Sequence, residues 1–141
     1  MGRDRDRVGA REKGCEVSPL LFIAIAVAGG LGAGVRMLFD GAYKAWSPRA
    51  TPWSTLLINV SGSLVLGFLT GLAGAQLLPE TWHLVLGTGF LGGYTTFSTA
   101  SFETISLIEE RKWGSSLLSG LGTLVFATAA AGLGLWLGGL G

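Results

Sequence analysis

The chain has 141 residues, of which 49% are apolar, 13% are charged and 24 are glycine, and its formal net charge is +1. This balance favours a membrane protein over a small soluble domain. The single cysteine, Cys15, excludes an internal disulfide and argues against a thiolate-ligated metal site, so we assign it no role.

Residues 1–17 interleave basic and acidic side chains, and we predict a solvated, flexible tail there. A secretory signal is not expected, because the first apolar run is long enough to span the bilayer and no small-residue cleavage site follows it. We therefore predict one four-helix transmembrane domain over residues 18–141.

Four apolar stretches approach the length of about 20 residues that a helix needs to cross the hydrocarbon. They run from Pro19 to Phe39, Trp53 to Leu77, Trp82 to Ile108 and Ser115 to Leu140. Indole rings favour the headgroup layer, although ordinary helix packing is the alternative. The tryptophans near the span ends are Trp53, Trp82, Trp113 and Trp136. The predicted fold is an all-α membrane protein with four transmembrane helices.

The third span is interrupted by the segment Gly87 to Glu103, GTGFLGGYTTFSTASFE, which places glycines, hydroxyls and a carboxylate within an apolar stretch. Unsatisfied backbone is costly in hydrocarbon, so a break there must line a cavity or be buried in protein. We predict that the third helix is broken near its middle and that this segment contains the functional site.

Short loops that are rich in lysine and arginine stay on the cytoplasmic side of the membrane. With four spans, the ten basic residues divide equally: Arg3, Arg5, Arg7, Arg11 and Lys13 on one face, and Arg36, Lys44, Arg49, Arg111 and Lys112 on the other. A chain without a preferred orientation could insert both ways and pair with an inverted copy. The alternative is that distal tail charges count for little and that the N-terminus lies outside.

Glycine pairs four residues apart recur in the spans and predict close helix packing, because each pair lies on one helix face. They are Gly30 and Gly34, Gly67 and Gly71, Gly89 and Gly93, and Gly134 and Gly138.

Polar residues inside spans cost free energy unless they meet a partner or water, so they are the functional candidates. For Asn59, in the second span, a pore contact and an interhelical hydrogen bond are equally open. Arg36 can snorkel from the end of the first span, which favours attraction of anions or anchoring. Glu103 is expected to be hydrogen-bonded, protonated or water-facing.

Ser119 and Thr123 form a strip of hydroxyls one turn apart in the fourth span, and hydroxyls can donate to an anion that loses water. The alternative is that both bond back to preceding carbonyls, as is common in membrane helices. His83, beside a tryptophan at an interface, is expected to be structural.

Three segments together resemble the signatures of the Fluc (CrcB) fluoride channels. They are GGLGAGVR at residues 29–36, TLLINVSGS at residues 55–63 and GFLGGYTTFST at residues 89–99. Their order, the four spans, the chain length and the balanced loop charge make the combination specific, and the resemblance covers the chain from its first span to its last.

The resemblance implies an antiparallel, dual-topology dimer in a prokaryotic plasma membrane, with two fluoride pores along the interface of the two copies. It also implies a structural sodium ion at the dimer centre, held by main-chain carbonyls that here map to Gly92 and Thr95. Carbonyls freed by an interrupted helix can be satisfied by a cation in this way.

For the pore, the resemblance implies a path lined by phenylalanine ring edges, whose hydrogens carry partial positive charge. Phe97 and Asn59 match the family's pore ring and pore asparagine, and Thr99 and Glu103 fall on the same matching segment. We place Ser119 and Thr123 on its hydroxyl track and Arg36 in a vestibule that attracts anions. Flux would be passive and outward. Neither enzymatic activity nor nucleic-acid binding is expected, and no nucleotide motif is present.

One position departs from the family pattern, TTFSTF, because Ala100 replaces a second ring and the next aromatic residue is Phe102. Two residues further along a helix a side chain points about 200° away, so Phe102 does not substitute without a backbone change. The chain is therefore expected to form a homodimer with an altered path or one half of a heterodimer with a paralogous subunit.

Two other classes compete with a channel. A small dual-topology, proton-coupled drug exporter needs an intramembrane carboxylate early in the chain, but the first two predicted spans contain none and Glu103 is the one candidate. A purely structural membrane subunit would explain the glycines but not Asn59, the TTFST segment and Glu103 together.

Overall fold

The structure, a computed structural model, describes residues 18–47 and 53–140, and within those ranges every regular element is a helix. Helix α1 covers Pro19–Trp46, and α2 covers Trp53–Gly74. The third span holds α3, built from Glu80–Trp82, a π-helical stretch His83–Leu91 and Gly92–Tyr94, and then α4 over Phe97–Glu109. The last span is α5, which runs from Trp113–Leu117 through the π-helical Leu118–Gly122 to Thr123–Gly139. The predicted tail over residues 1–17, with Cys15, lies outside the described residues.

Three of the helices are long and apolar enough to cross a membrane: α1, α2 and α5. The third span is apolar as well, but its interruption divides it into α3 and α4. The predicted all-helical fold, with four helices of which the third is broken, is therefore confirmed.

Helix α1 extends beyond the predicted end of the first span at Phe39 and continues through Asp40 and Lys44 to Trp46. Its start is fixed by Ser18, whose hydroxyl accepts a hydrogen bond from the Leu21 N–H at 3.2 Å. The apolar stretch and the helix end at different residues, because charged residues continue a helix readily once it leaves the hydrocarbon.

The tightest packing lies between α2 and α5, where glycines of each helix face carbonyl groups of the other. A Cβ at Gly67 would collide with the Ala131 carbonyl, and one at Gly134 with the Leu64 carbonyl. Gly71 and Gly138 make the same kind of contact one turn further along. The predicted close packing is confirmed for these two pairs.

Helix α1 packs against α3 in a similar way, since Cβ atoms at Gly89 and Gly93 would meet the carbonyls of Ile25 and Gly29. Gly30 and Gly34 differ, because a Cβ at either position has no neighbour within 4 Å among the described residues. That predicted pair lies on a face of α1 that the described residues leave open.

Candidate functional site

The third span breaks at two threonines with extended backbone. Thr95 has φ −76° and ψ 156°, and Thr96 has φ −149° and ψ 123°. Helix α3 therefore ends at Tyr94, and α4 begins at Phe97. The interruption falls inside the GGYTTFST segment, where the sequence predicted it.

The side chain of Asn59 in α2 holds the break. Its Nδ2 donates to the Thr96 carbonyl at 2.9 Å, and its Oδ1 accepts from the Thr96 N–H at 2.8 Å. Both residues are buried. One side-chain amide thus satisfies both backbone groups of an extended residue, which removes the cost of burying the polar backbone of Thr96 in an apolar setting. The interhelical bond considered for Asn59 is present, and one of the two hydrogens on Nδ2 remains for another acceptor.

Two carbonyl groups at the break are released from the hydrogen-bond ladder of the helix. In a continuous α-helix the Thr96 N–H would donate to the Gly92 carbonyl, and the Thr99 N–H to the Thr95 carbonyl. Here Thr96 donates to Asn59 instead, and Thr99 donates to the Thr96 hydroxyl at 3.2 Å. The carbonyl oxygens of Gly92 and Thr95 lose their helical donors as a result.

The Thr96 hydroxyl also fixes the start of α4. Besides accepting from the Thr99 N–H, it donates to the Thr99 hydroxyl at 3.1 Å. This is the arrangement of a threonine N-cap. Thr99 is half-buried in this cap and does not line the groove beside the break.

A groove of about 520 Å³ opens beside the break, between α2, α4 and α5. It brings together four of the predicted site residues: Asn59, Thr95, Phe97 and Thr123. Phe97 is 86% exposed, so its ring projects from this chain at the edge of the groove. The groove therefore combines an amide, hydroxyls and an aromatic ring in a largely apolar wall.

The other predicted residues lie outside the groove. Gly92 is exposed on α3, while Glu103 and Ser119 are buried, with 7% and 1% of their surface exposed. Arg36 is half-buried on α1, and its Nε has no hydrogen-bond partner among the described residues. None of these four residues lines the groove that contains Phe97.

Ala100 and Phe102 lie on different sides of α4. Ala100 is buried and lines the groove, whereas Phe102 is 71% exposed and does not line it. Because α4 is regular here, the ring of Phe102 does not occupy the place that a side chain at position 100 would take.

Sequence reasoning missed several buried polar residues. Ser54 and Thr55 at the start of α2 are 0% and 2% exposed, and the Ser54 hydroxyl donates to Asp40 Oδ1 at 2.7 Å. Ser116 donates to the Thr104 carbonyl across α5 and α4 at 3.0 Å. The capping role of Thr96 had a signal in the T-x-x-T spacing, but the burial of Ser54 had none.

Comparison with known proteins places the chain in a family. The family model described as CrcB-like protein, Camphor Resistance (CrcB), matches residues 23–135. A protein of Leifsonia xyli subsp. xyli named Fluoride-specific ion channel FluC 1 is 52% identical over 124 residues, which cover 88% of this chain and 90% of that protein. The chain belongs to the CrcB-like family, as the three sequence segments predicted.

Two further relatives extend the similarity. Fluoride-specific ion channel FluC 1 of Ligilactobacillus salivarius is 43% identical, with 82% of this chain and 97% of that protein covered. Fluoride-specific ion channel FluC 2 of Mycobacterium bovis is 41% identical, with 83% of this chain and 90% of that protein covered. With its membrane-spanning helices, the chain is a multi-pass membrane protein of a prokaryotic cell.

Proposed function

We propose that the chain conducts fluoride passively across the membrane and so exports it from the cytoplasm. The observation that carries the proposal is the groove at the break, where the Asn59 amide, the Thr123 hydroxyl and the Phe97 ring meet. Fluoride is small and strongly hydrated, so a narrow path must replace water with donors while it binds loosely enough to release the ion. The names of the three relatives support fluoride as the ion.

Each residue has a distinct part in the proposed path. The edge of the Phe97 ring presents partially positive hydrogens to the anion. The Asn59 amide, already fixed by Thr96, offers its remaining N–H. Ser119, Thr123, Thr99 and Glu103 provide polar groups along α4 and α5, and Arg36 attracts anions from solution.

The proposed assembly is a dimer of inverted copies, related by a two-fold axis in the membrane plane. Balanced basic residues permit both insertions. The exposed ring of Phe97 and the open face at Gly30 and Gly34 provide surface for a second copy.

A structural sodium ion is proposed at the break, bound by the carbonyl oxygens of Gly92 and Thr95 from each copy. The release of both carbonyls from the helical ladder supports this assignment. The described residues contain no group of three or more histidine, cysteine, aspartate or glutamate side chains that could hold a metal, and the proposal uses main-chain carbonyls as the ligands. A sodium ion there would stabilise the break and would not be transported.

Ala100 supports a second form of the proposal, a heterodimer with a paralogous subunit. The position lines the groove but carries no ring. A partner with an aromatic residue at the matching position would supply it. The proton-coupled exporter is not favoured, since all three relatives described above are named as channels.

Fluoride efflux from loaded liposomes tests the proposal. Liposomes containing the purified chain and potassium fluoride are diluted into fluoride-free buffer, and a fluoride electrode follows release after a potassium ionophore is added. We expect rapid fluoride release and none of chloride from matched liposomes. Equal release of both ions, or proton movement that requires an organic cation, would contradict the proposal.

A further inference from the structure

A cluster of polar side chains lies where α1 ends and α2 begins. Asp40 Oδ2 accepts a hydrogen bond from Lys44 Nζ at 2.8 Å, and Asp40 Oδ1 accepts one from Ser54 Oγ at 2.7 Å. Ser54 is completely buried, whereas the Lys44 side chain is 44% exposed. Asp40 therefore connects a lysine that reaches water to the buried start of α2.

The same cluster reaches α4. Thr55 is 2% exposed and its side chain adjoins the Glu103 carboxyl. Glu103 Oε2 is buried and has no hydrogen-bond partner among the described residues. Ser54 and Thr55 are neighbours at the start of α2, so the residue bonded to Asp40 and the residue that adjoins Glu103 are consecutive.

A negative charge on Glu103 would oppose the entry of an anion. A carboxylate at Glu103, which precedes the groove residue Thr104 on α4, repels fluoride in the groove. The end of α1 offers two cations, Arg36 and Lys44, against one carboxylate, Asp40. The net positive charge of these three side chains offsets the negative charge of Glu103 if the Lys44 ammonium group is held close to that carboxylate.

We propose that Lys44 is an anion-attracting group at the mouth of the fluoride path, and that Asp40 is the residue that positions it. The inference rests on the proposed fluoride conduction. The bond from Ser54 fixes Asp40, and Asp40 in turn fixes the ammonium group of Lys44 next to the start of α2, where Thr55 adjoins the Glu103 carboxyl. In an inverted dimer each copy presents one such mouth, so the orientation of reconstituted protein does not affect the test.

The test compares fluoride efflux at low and high ionic strength for Lys44→Met, Lys44→Arg and a matched control, Lys112→Met. Lys112 follows α4 at the same end of the bundle and is paired with Glu110 at 2.6 Å, with 61% of its side chain exposed. The Debye length is about 30 Å at 0.01 M salt and about 8 Å at 0.15 M, so the effect of one charge is largest in dilute buffer.

We expect Lys44→Met to lower efflux about three- to tenfold in dilute buffer and much less at high salt, since local charge raises the concentration of counter-ions at a mouth. Lys44→Arg should retain the wild-type rate and its salt dependence, and Lys112→Met should match the wild type. An unchanged rate in Lys44→Met at low salt, or an equal loss in Lys112→Met, would overturn the inference.

Asp40→Asn separates positioning from charge. It removes a negative charge but keeps an acceptor for Ser54, so attraction by charge alone predicts faster efflux. Positioning of Lys44 by Asp40 predicts slower efflux at low salt and recovery in Asp40→Glu. Faster efflux in Asp40→Asn would refute the positioning role. Absence of fluoride efflux from the unsubstituted protein would instead overturn the proposed function, and this inference with it.

Discussion

Asn59 of α2 and Thr96 at the break are joined by two hydrogen bonds, at 2.9 and 2.8 Å, that engage both the N–H and the carbonyl of one backbone residue. This pairing explains how a helix can stop inside an apolar span without orphaned groups at Thr96. It also frees the Gly92 carbonyl, while the cap formed by the Thr96 hydroxyl frees that of Thr95, so Asn59 links the fold, the proposed ion site and the groove.

Replacing Asn59 by aspartate should abolish fluoride efflux and lower stability. An ionised aspartate cannot donate to the Thr96 carbonyl, and it places negative charge on the proposed anion path. Loss of one buried hydrogen bond should cost about 1–3 kcal/mol of unfolding free energy. Efflux and thermal unfolding in detergent measure the two effects. Ser61→Ala, on the same helix but outside the groove, is the control, and wild-type efflux in Asn59→Asp would remove Asn59 from the path.

Replacing Phe97 by isoleucine should reduce fluoride efflux by about tenfold or more, because the bulk remains while ring-edge contacts of about 1 kcal/mol each are lost. Phe102→Ile is the matched control, since Phe102 is also exposed on α4 but does not line the groove. Both variants should keep the elution volume of the wild type. Equal rates in the two variants would exclude Phe97 from the pore.

Replacing Gly134 by alanine should destabilise the protein by about 1–3 kcal/mol, because the new Cβ would collide with the Leu64 carbonyl and separate α2 from α5. Gly132→Ala is the control on the same helix, since a Cβ there has no neighbour within 4 Å among the described residues. Thermal unfolding of the two variants in one detergent measures the difference. Similar melting temperatures would contradict the packing described for this pair of helices.

Sodium should stabilise the protein if it binds the carbonyls of Gly92 and Thr95. A ligand that binds the native state at 100 times its Kd adds about 2.7 kcal/mol to the free energy of unfolding. Melting curves in sodium chloride and in N-methylglucamine chloride at equal ionic strength provide the comparison. Identical curves over a wide range of sodium concentration would count against a sodium site.

Much of the fold was predictable because it follows from hydropathy and composition. The four spans and the break in GGYTTFST follow from apolar length and from glycine and hydroxyl residues that interrupt it. The predicted apolar span ends at Phe39, where hydropathy falls, whereas helix α1 continues through Asp40 to Trp46. The residues that individual glycines contact depend on how each helix is rotated. The sequence therefore could not predict that Gly30 and Gly34 would lie on an open face.

The site was predictable only in part. The sequence indicated Asn59 and Phe97, but it left the partner of Asn59 open, because a hydrogen bond across 37 residues depends on how α2 and α4 pack. The hydrogen bond between Ser54 and Asp40 could not be predicted from the sequence for the same reason. Placement of Glu103 and Ser119 outside the groove likewise depends on packing.

The most direct test of fluoride conduction is the current carried by the chain, expressed alone, in a planar bilayer with a fluoride gradient and equal chloride on both sides. We predict a current that reverses at the equilibrium potential of fluoride and does not shift when a pH gradient is imposed. No current, or a reversal potential that stays at zero as equal chloride would give, or one that follows the proton gradient, would contradict fluoride conduction by this chain.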